Sequence, residues 1–255
     1  MKKEVIINIF RYLYKNPTHI FLLAKKVIAR IKEINNNADL LWLQKQEVDF
    51  NDWAANVNPL LWEESIQFAD TLSINAKKKL ELLPFKMGGG GLYSILYFVT
   101  RYYQPLTIVE TGVAAGFSSQ ALLSAIDINM RGALFSSDFP YFRLPNPEKY
   151  IGILVDDDLR ANWKLYTDGD VVNLPIILSQ IDSIDLFHYD SDKSYSGRDM
   201  AWTLVQDKMH AKSLIIFDDI QDNNYFKDFV QKHDCKYYVF KFQNKFIGFI
   251  YELNR

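Results

Sequence analysis

The chain has 255 residues, a formal net charge of −2 and 49% hydrophobic residues, which is globular composition and excludes a disordered chain or a bulk-basic nucleic-acid binder. Its one cysteine, Cys235, excludes an internal disulfide and a multi-cysteine zinc site, and its four histidines (His19, His188, His210, His233) show no HExxH spacing. No apolar run approaches the roughly 20 residues of a membrane span, and Arg11, Lys15, Lys25 and Lys26 break up the N-terminal apolar stretches where a signal peptide would be continuous, so a reducing cytoplasm is the expected compartment.

Residues 1–85 read as a helical N-terminal extension. Asn16-Pro17 and Asn58-Pro59 each place a capping side chain before a proline at the first helical position. Ile20, Leu23, Ala24, Val27, Ile28 and Ile31 keep helical spacing after the first, and Trp62, Ile66, Ala69 and Leu72 after the second. Residues 1–35 hold eight Lys/Arg against two Asp/Glu. Such a basic, amphipathic segment suits peripheral membrane contact, or packing on the domain or on another copy in a homo-oligomer.

Residues 86–255 read as a second unit of alternating helix and strand. A helix is expected over 92–103, a strand at 107–109, a glycine turn, a helix through Ala121, Leu122 and Ala125, and a strand at 133–135 leading to Asp138. Further strands fall at 163–167, 184–189 and 213–217, with helices at 170–180, 197–208 and 224–232. A hairpin of 236–242 and 246–252 turns around Gln243-Asn244. The expected fold is α/β: a Rossmann-like, seven-stranded, mostly parallel sheet with a C-terminal antiparallel hairpin. Ligands of such sheets bind at the carboxyl ends of the strands.

Two clusters fall at those ends. In Glu110-Thr111-Gly112-Val113-Ala114-Ala115-Gly116-Phe117-Ser118, Gly112 lets backbone approach a ligand, Gly116 permits tight entry to a helix, and the helix start offers amides to a carboxylate or phosphate. An acid, Glu110, precedes the glycines and another, Asp138, ends the next strand. A nicotinamide dinucleotide site would prefer GxGxxG with an acid about 20 residues on; S-adenosylmethionine, which carries a carboxylate and no phosphate, fits this spacing better. The second cluster is Asp190, Asp192 and Lys193 after one strand and Asp218-Asp219 after another. Convergent Asp190, Asp218 and Asp219 would repel unless a cation joins them, and all-oxygen ligands favour a divalent metal such as Mg²⁺. Asp192 and Lys193 are the candidate bases. Asp185 and Asp222 read as helix caps, His188 as a core residue.

These residues resemble the class I S-adenosylmethionine-dependent methyltransferases, and within them the metal-dependent O-methyltransferases of the catechol and of the macrocin and noviose sugar types. The likeness covers roughly residues 85–252. It implies that Gly112 and Ser118 hold the methionine part of the cofactor, Asp138 the ribose, and Gly169-Asp170 the adenine side, with Met87-Gly88 covering the methionine end. It also implies that Asp190 with Asp218-Asp219 is the metal triad, Asp190 lying near the methionine amine as well. The second acid of Asp-x-Asp, here Asp192, is the base in the sugar enzymes, whereas Lys193 falls where the catechol enzymes place a catalytic lysine. The acceptor so implied is a hydroxyl of a small molecule or sugar, with no nucleic acid involved. The competing expectations are a nicotinamide-dependent oxidoreductase and a non-catalytic or peripheral-membrane protein with a methyltransferase-like domain.

Overall fold

The computed structural model describes residues 3–15, 17, 20, 38–81, 83, 87–142 and 147–253. Most of the helix expected after Asn16-Pro17 lies outside them. Helix α1 is Lys3–Lys15, and α2 (Leu40–Gln46), α3 (Phe50–Val57) and α4 (Pro59–Leu80) follow. The caps explain where they start: Asp49 accepts the amides of Asn51 and Asp52, and Asn58 accepts that of Leu61 just ahead of Pro59. The region read as all helix also contains a strand, β1 (Glu47–Val48), paired in parallel with Val239 and Phe240. The sheet therefore has eight strands, the seven expected and one short edge strand.

The remaining elements are α5 (Tyr93–Tyr103), β2 (Thr107–Thr111), α6 (Phe117–Asn129), β3 (Ala133–Ser137), β4 (Trp163–Tyr166), α7 (Asp170–Leu178), β5 (Ile184–Tyr189), α8 (Tyr195–Val205), β6 (Met209–Phe217), α9 (Tyr225–Lys232), β7 (Cys235–Phe242) and β8 (Lys245–Leu253). Strand order is β1-β7-β8-β6-β5-β2-β3-β4, and β8 alone runs antiparallel to its neighbours. The chain leaves β2 toward β3 on one side and returns to β5 on the other, so the switch point lies between β2 and β5.

Strand alternation divides the core into two layers. Ile108, Leu134, Leu186 and Ile216 face one way with Leu122, Phe98 and Trp62. Their chain neighbours Val109, Phe135, Phe187 and Ile215 face the other way with Leu174, Ala201 and Trp202. Trp53 of α3 packs its ring 5.6 Å from Phe98, 5.2 Å from Phe240 and 5.5 Å from Phe249. Helices α3 and α4 thus share the apolar layer of the sheet. Tyr12 of α1 sits edge-on to Phe139 and Phe142, leaving Ile6, Ile7, Phe10 and Tyr14 exposed. Among the described residues, no helix is long and apolar enough to cross a membrane.

Candidate active site

Each parallel strand hands its neighbour one hydrogen bond beyond its own end, and the candidate residues are those first positions. Asp218 N donates to Tyr189 O at 3.0 Å, Asp190 N to Thr111 O at 2.9 Å, Gly112 N to Ser137 O at 2.8 Å, and Asp138 N to Tyr166 O at 2.9 Å. The row Asp218, Asp190, Gly112, Asp138 is therefore fixed by backbone.

On the glycine side, α6 begins at Gly116 with no side chain capping it, which leaves its first amides for an anionic group. Met87 is buried with Ala115 and Leu154, and a Cβ on Gly88 would lie 3.5 Å from Ala114 Cβ. The 87–88 segment thus packs against the turn. Asp138 closes onto the same turn, accepting Ala114 N and Phe139 N at 2.7 Å each. Gly169 N donates to Asp138 O at 3.0 Å. Asp170 accepts from Ser137 at 2.6 Å and from Ser191, joining the end of β3 to the loop after β5. Gly112 also has a structural role within the protein. A Cβ there would meet Asp190 O at 2.3 Å, so this glycine admits the 190–191 backbone, and the approach it permits is between two loops of the protein.

Burial pushes Asp138 up to about 7, against the pull of the Phe139 and Ala114 amides. A carboxyl raised in this way keeps its proton in the folded chain after the unfolded chain has released it. Its contribution to stability is complete below the usual carboxylate range and is lost as pH rises through about 7. Asp138→Asn is accordingly expected to flatten the decline in urea midpoint between pH 4 and pH 8 relative to the native chain. Parallel midpoint curves for the two proteins would refute it.

Glu110 is fully buried and accepts Ser119 Oγ at 2.6 Å and Ser136 Oγ at 2.7 Å. Its other oxygen, Oε1, lies 3.7 Å from His188 Nδ1, and neither atom has a hydrogen-bond partner among the described residues. His188 is buried as expected, yet it is more than core filling. It lines a cavity with Tyr93, Ser118, Asp190, Asp218 and Gly91. The β2–β5 register pairs Glu110 with His188, and the signal for this was their equal distance, two residues, from Gly112 and Asp190.

Asp190, Asp218 and Asp219 do converge, each offering an oxygen within 4.8 Å of the others. Two such charges 4 Å apart repel by about 4 kcal/mol at an effective dielectric of 20. Burial pushes Asp190 up to about 6, partly offset by Lys193. In Asp219, burial is outweighed by Lys193 and Lys245, which hold its carboxyl below the usual range. Lys193 Nζ pairs with Asp190 Oδ1 and lies 2.7 Å from Asp219 Oδ2. Burial opposes its charge, but the three carboxylates outweigh that and hold the ammonium well above the usual lysine range. Lys193 is therefore placed as a cation and not as a ready base. Asp192 turns elsewhere: it accepts Ser194 N at 3.1 Å and lies against Gly197 at the start of α8.

Three residues missed by the sequence reading organise this cluster. Lys245 Nζ lies 2.7 Å from Asp218 Oδ2, delivered by the expected hairpin. Arg198, fully buried on α8, donates to Asp218 O at 3.0 Å, Asp219 O at 2.8 Å and Lys193 O at 3.3 Å. Asn223 Nδ2 also donates to Lys193 O, at 2.8 Å. Two acids read as helix caps are not. Asp185 accepts the amides of Leu106 and Thr107 and pairs with His210, because the start of β5 lies beside the start of β2. Asp222 closes a short turn beside Gln221, and α9 begins at Asn224.

Residues 109–220, which span this row of strand ends, match the family model described as Methyltransferase domain. Over these residues, fewer than half of its length, the chain is similar to a methyltransferase domain. Solved structures of similar fold include the O-methyltransferase TomG from Streptomyces achromogenes, in complex with S-adenosylmethionine. It is 14% identical, with a TM-score of 0.55, over 71% of this chain and 88% of that one. A methyltransferase from Geobacter sulfurreducens is 20% identical over 72% and 90%, TM-score 0.54. A putative caffeoyl-CoA O-methyltransferase from Staphylococcus aureus is 11% identical over 75% and 99%, TM-score 0.57. At these identities the likeness is one of fold. No curated protein sequence matches the chain.

Proposed function

We propose that this methyltransferase domain transfers the methyl group of S-adenosylmethionine to a hydroxyl oxygen of a small molecule, first a sugar and second a catechol-like phenol. The observation that carries the reading is the juxtaposition, along one sheet edge, of an uncapped helix start beside Asp138 with a charged cluster at the next strand ends. The residues fit the cofactor: the first amides of α6 suit its carboxylate, Asp138 its ribose, and the orphaned Glu110 Oε1 marks a polar wall next to Ser118.

Bound S-adenosylmethionine supplies the methyl group on its sulfonium. The chain's own residues must bind it, orient an acceptor in line, exclude water and take up the hydroxyl proton. A cleft lined by Trp62, Tyr93, Phe242, Asn51, Asp70 and Gln243 shares Gly91, Leu92 and Tyr93 with the inner cavity. Its mixture of rings and hydrogen-bonding groups suits a sugar or phenol. The divalent ion expected at Asp190, Asp218 and Asp219 has the right ligand chemistry in the three carboxylates, but the Lys193 ammonium stands among them.

Calorimetry with S-adenosylhomocysteine and with NAD tests the reading. Saturable binding of the first and none of the second is expected, and the reverse result would sink it. With an acceptor in hand, Asp192→Asn is expected to keep the transfer rate within about tenfold, because this carboxylate serves the start of α8. A loss of roughly 10²–10⁴, the range for a missing general base, would return that role to Asp192.

A further inference from the structure

The acid cluster already contains its counter-charges. Lys193 Nζ pairs with Asp190 Oδ1 and lies 2.7 Å from Asp219 Oδ2 and 3.6 Å from Asp218 Oδ2. One ammonium thus reaches an oxygen of each residue that would ligate a shared ion. Lys245 Nζ adds a second positive charge, 2.7 Å from Asp218 Oδ2 and 3.6 Å from Asp219 Oδ1. Gln221 donates to Asp219 Oδ1 at 3.2 Å.

We propose that Lys193 is the resident cation of this cluster, standing where the divalent ion of a metal-dependent methyltransferase would stand, with Lys245 completing the neutralisation. The proposal rests on the methyl-transfer reading of the site. Three carboxylates facing two ammoniums leave a net charge near −1, whereas adding a divalent ion to the same group would leave three carboxylates facing four positive charges. An ion sharing one oxygen of each carboxylate would need the place that the Lys193 ammonium holds among them.

Displacement is opposed by the way this lysine is mounted. Its carbonyl accepts Asn223 Nδ2 at 2.8 Å and Arg198 Nε at 3.3 Å, and Arg198 grips the carbonyls of Asp218 and Asp219 with the same guanidinium. The lysine backbone and two of its acidic partners are thus fastened to one buried group. Lys245 is the first residue of β8, so the cluster is met by cations carried on two separate parts of the chain.

In the transfer step the ammonium keeps its protons and stabilises charge developing on the acceptor oxygen. The C–O bond forms as the C–S bond breaks, its electron pair returns to sulfur, and the hydroxyl proton passes to a carboxylate of the cluster and then to solvent. Lys193 acts in this scheme through its charge, held at the carboxylate cluster.

The test is Mn²⁺ titration of the full chain, read by the paramagnetic signal of free Mn²⁺. The native protein is expected to show no saturable binding. Lys193→Met is expected to gain it, and Asp218→Asn added to Lys193→Met is expected to lose it again. Lys193→Gln, closer in polarity, should gain binding in the same sense and guards against a methionine variant that does not fold. Saturable Mn²⁺ binding by the native chain would overturn the proposal, as would failure of both folded lysine variants to bind. Failure of the native chain to bind S-adenosylhomocysteine would instead sink the methyl-transfer reading, and the Mn²⁺ result would still decide which cation occupies the cluster.

Discussion

Arg198→Ala is expected to lower folding stability by about 3–5 kcal/mol, as a large core truncation that also orphans hydrogen-bond acceptors. The side chain is fully buried, and its guanidinium serves three carbonyls on two separate loops, those of Lys193, Asp218 and Asp219. Truncation leaves a cavity and removes, among the described residues, the one side chain that donates to carbonyls of both the loop after β5 and the loop after β6. Asp219 also holds a left-handed backbone conformation, φ 53°, which costs a non-glycine residue about 1–2 kcal/mol and persists because its surroundings impose it. Arg198→Lys keeps a charge but offers a point donor in place of a planar fork, and should recover only part of the loss. Urea denaturation of the three proteins checks this. An Ala variant unfolding at the native midpoint would show that the loops hold their shape without the guanidinium. For the reaction, the expected signature is a transfer rate falling far more than cofactor affinity, since the glycine turn is fixed by Asp138 and by backbone pairing.

This residue also shows where sequence reading stopped. Short apolar runs bounded by acids and glycines are local patterns, so β2, β3, β5 and β6 could be read directly, and with them the residues at their ends. Parallel pairing then does the rest: if the strands lie side by side, Asp190 and Asp218 must be neighbours. What could not be read is whatever depends on a side chain reaching across elements. Arg198 looks like any polar residue of an amphipathic helix until α8 is laid beneath the two acid loops. Lys245 is one of several lysines in a hairpin until the β6–β8 register brings Gly248 opposite Phe217 and carries the turn over Asp218. Asp192 and Lys193 were legible as a pair near the site. Their division of labour was not, because it depends on which side chain turns toward the cluster and which toward the start of α8. Glu47–Val48 formed a strand against the local helical pattern because the free edge of β7 was there to pair with it, a tertiary effect that propensity does not register.

Gly112→Val is expected to abolish cofactor binding, and Gly112→Ala to cost about 2–5 kcal/mol, combining overpacking of about 1–3 kcal/mol with about 1–2 kcal/mol for a left-handed residue. At Gly112, φ is +86°, and an added Cβ would sit 2.3 Å from Asp190 O, 2.6 Å from Asp190 C and 3.0 Å from Ser191 N. These are backbone atoms and cannot swing aside. Nor can the loop retreat as a whole, because Asp190 N is tied to Thr111 O and Gly112 N to Ser137 O. The displaced carbonyl belongs to a member of the acid cluster, so the strain passes from the cofactor turn to the charged site in one step. Gly90 separates the two causes. Its φ is +80°, but an added Cβ would meet nothing nearer than the end of the Gln243 side chain at 4.0 Å. Gly90→Ala should therefore carry only the conformational cost, about 1–2 kcal/mol. Thermal denaturation and S-adenosylhomocysteine calorimetry on the alanine pair measure the difference: equal losses would mean that backbone conformation alone explains Gly112, whereas a larger loss there, with weakened binding, assigns the excess to the contact with Asp190.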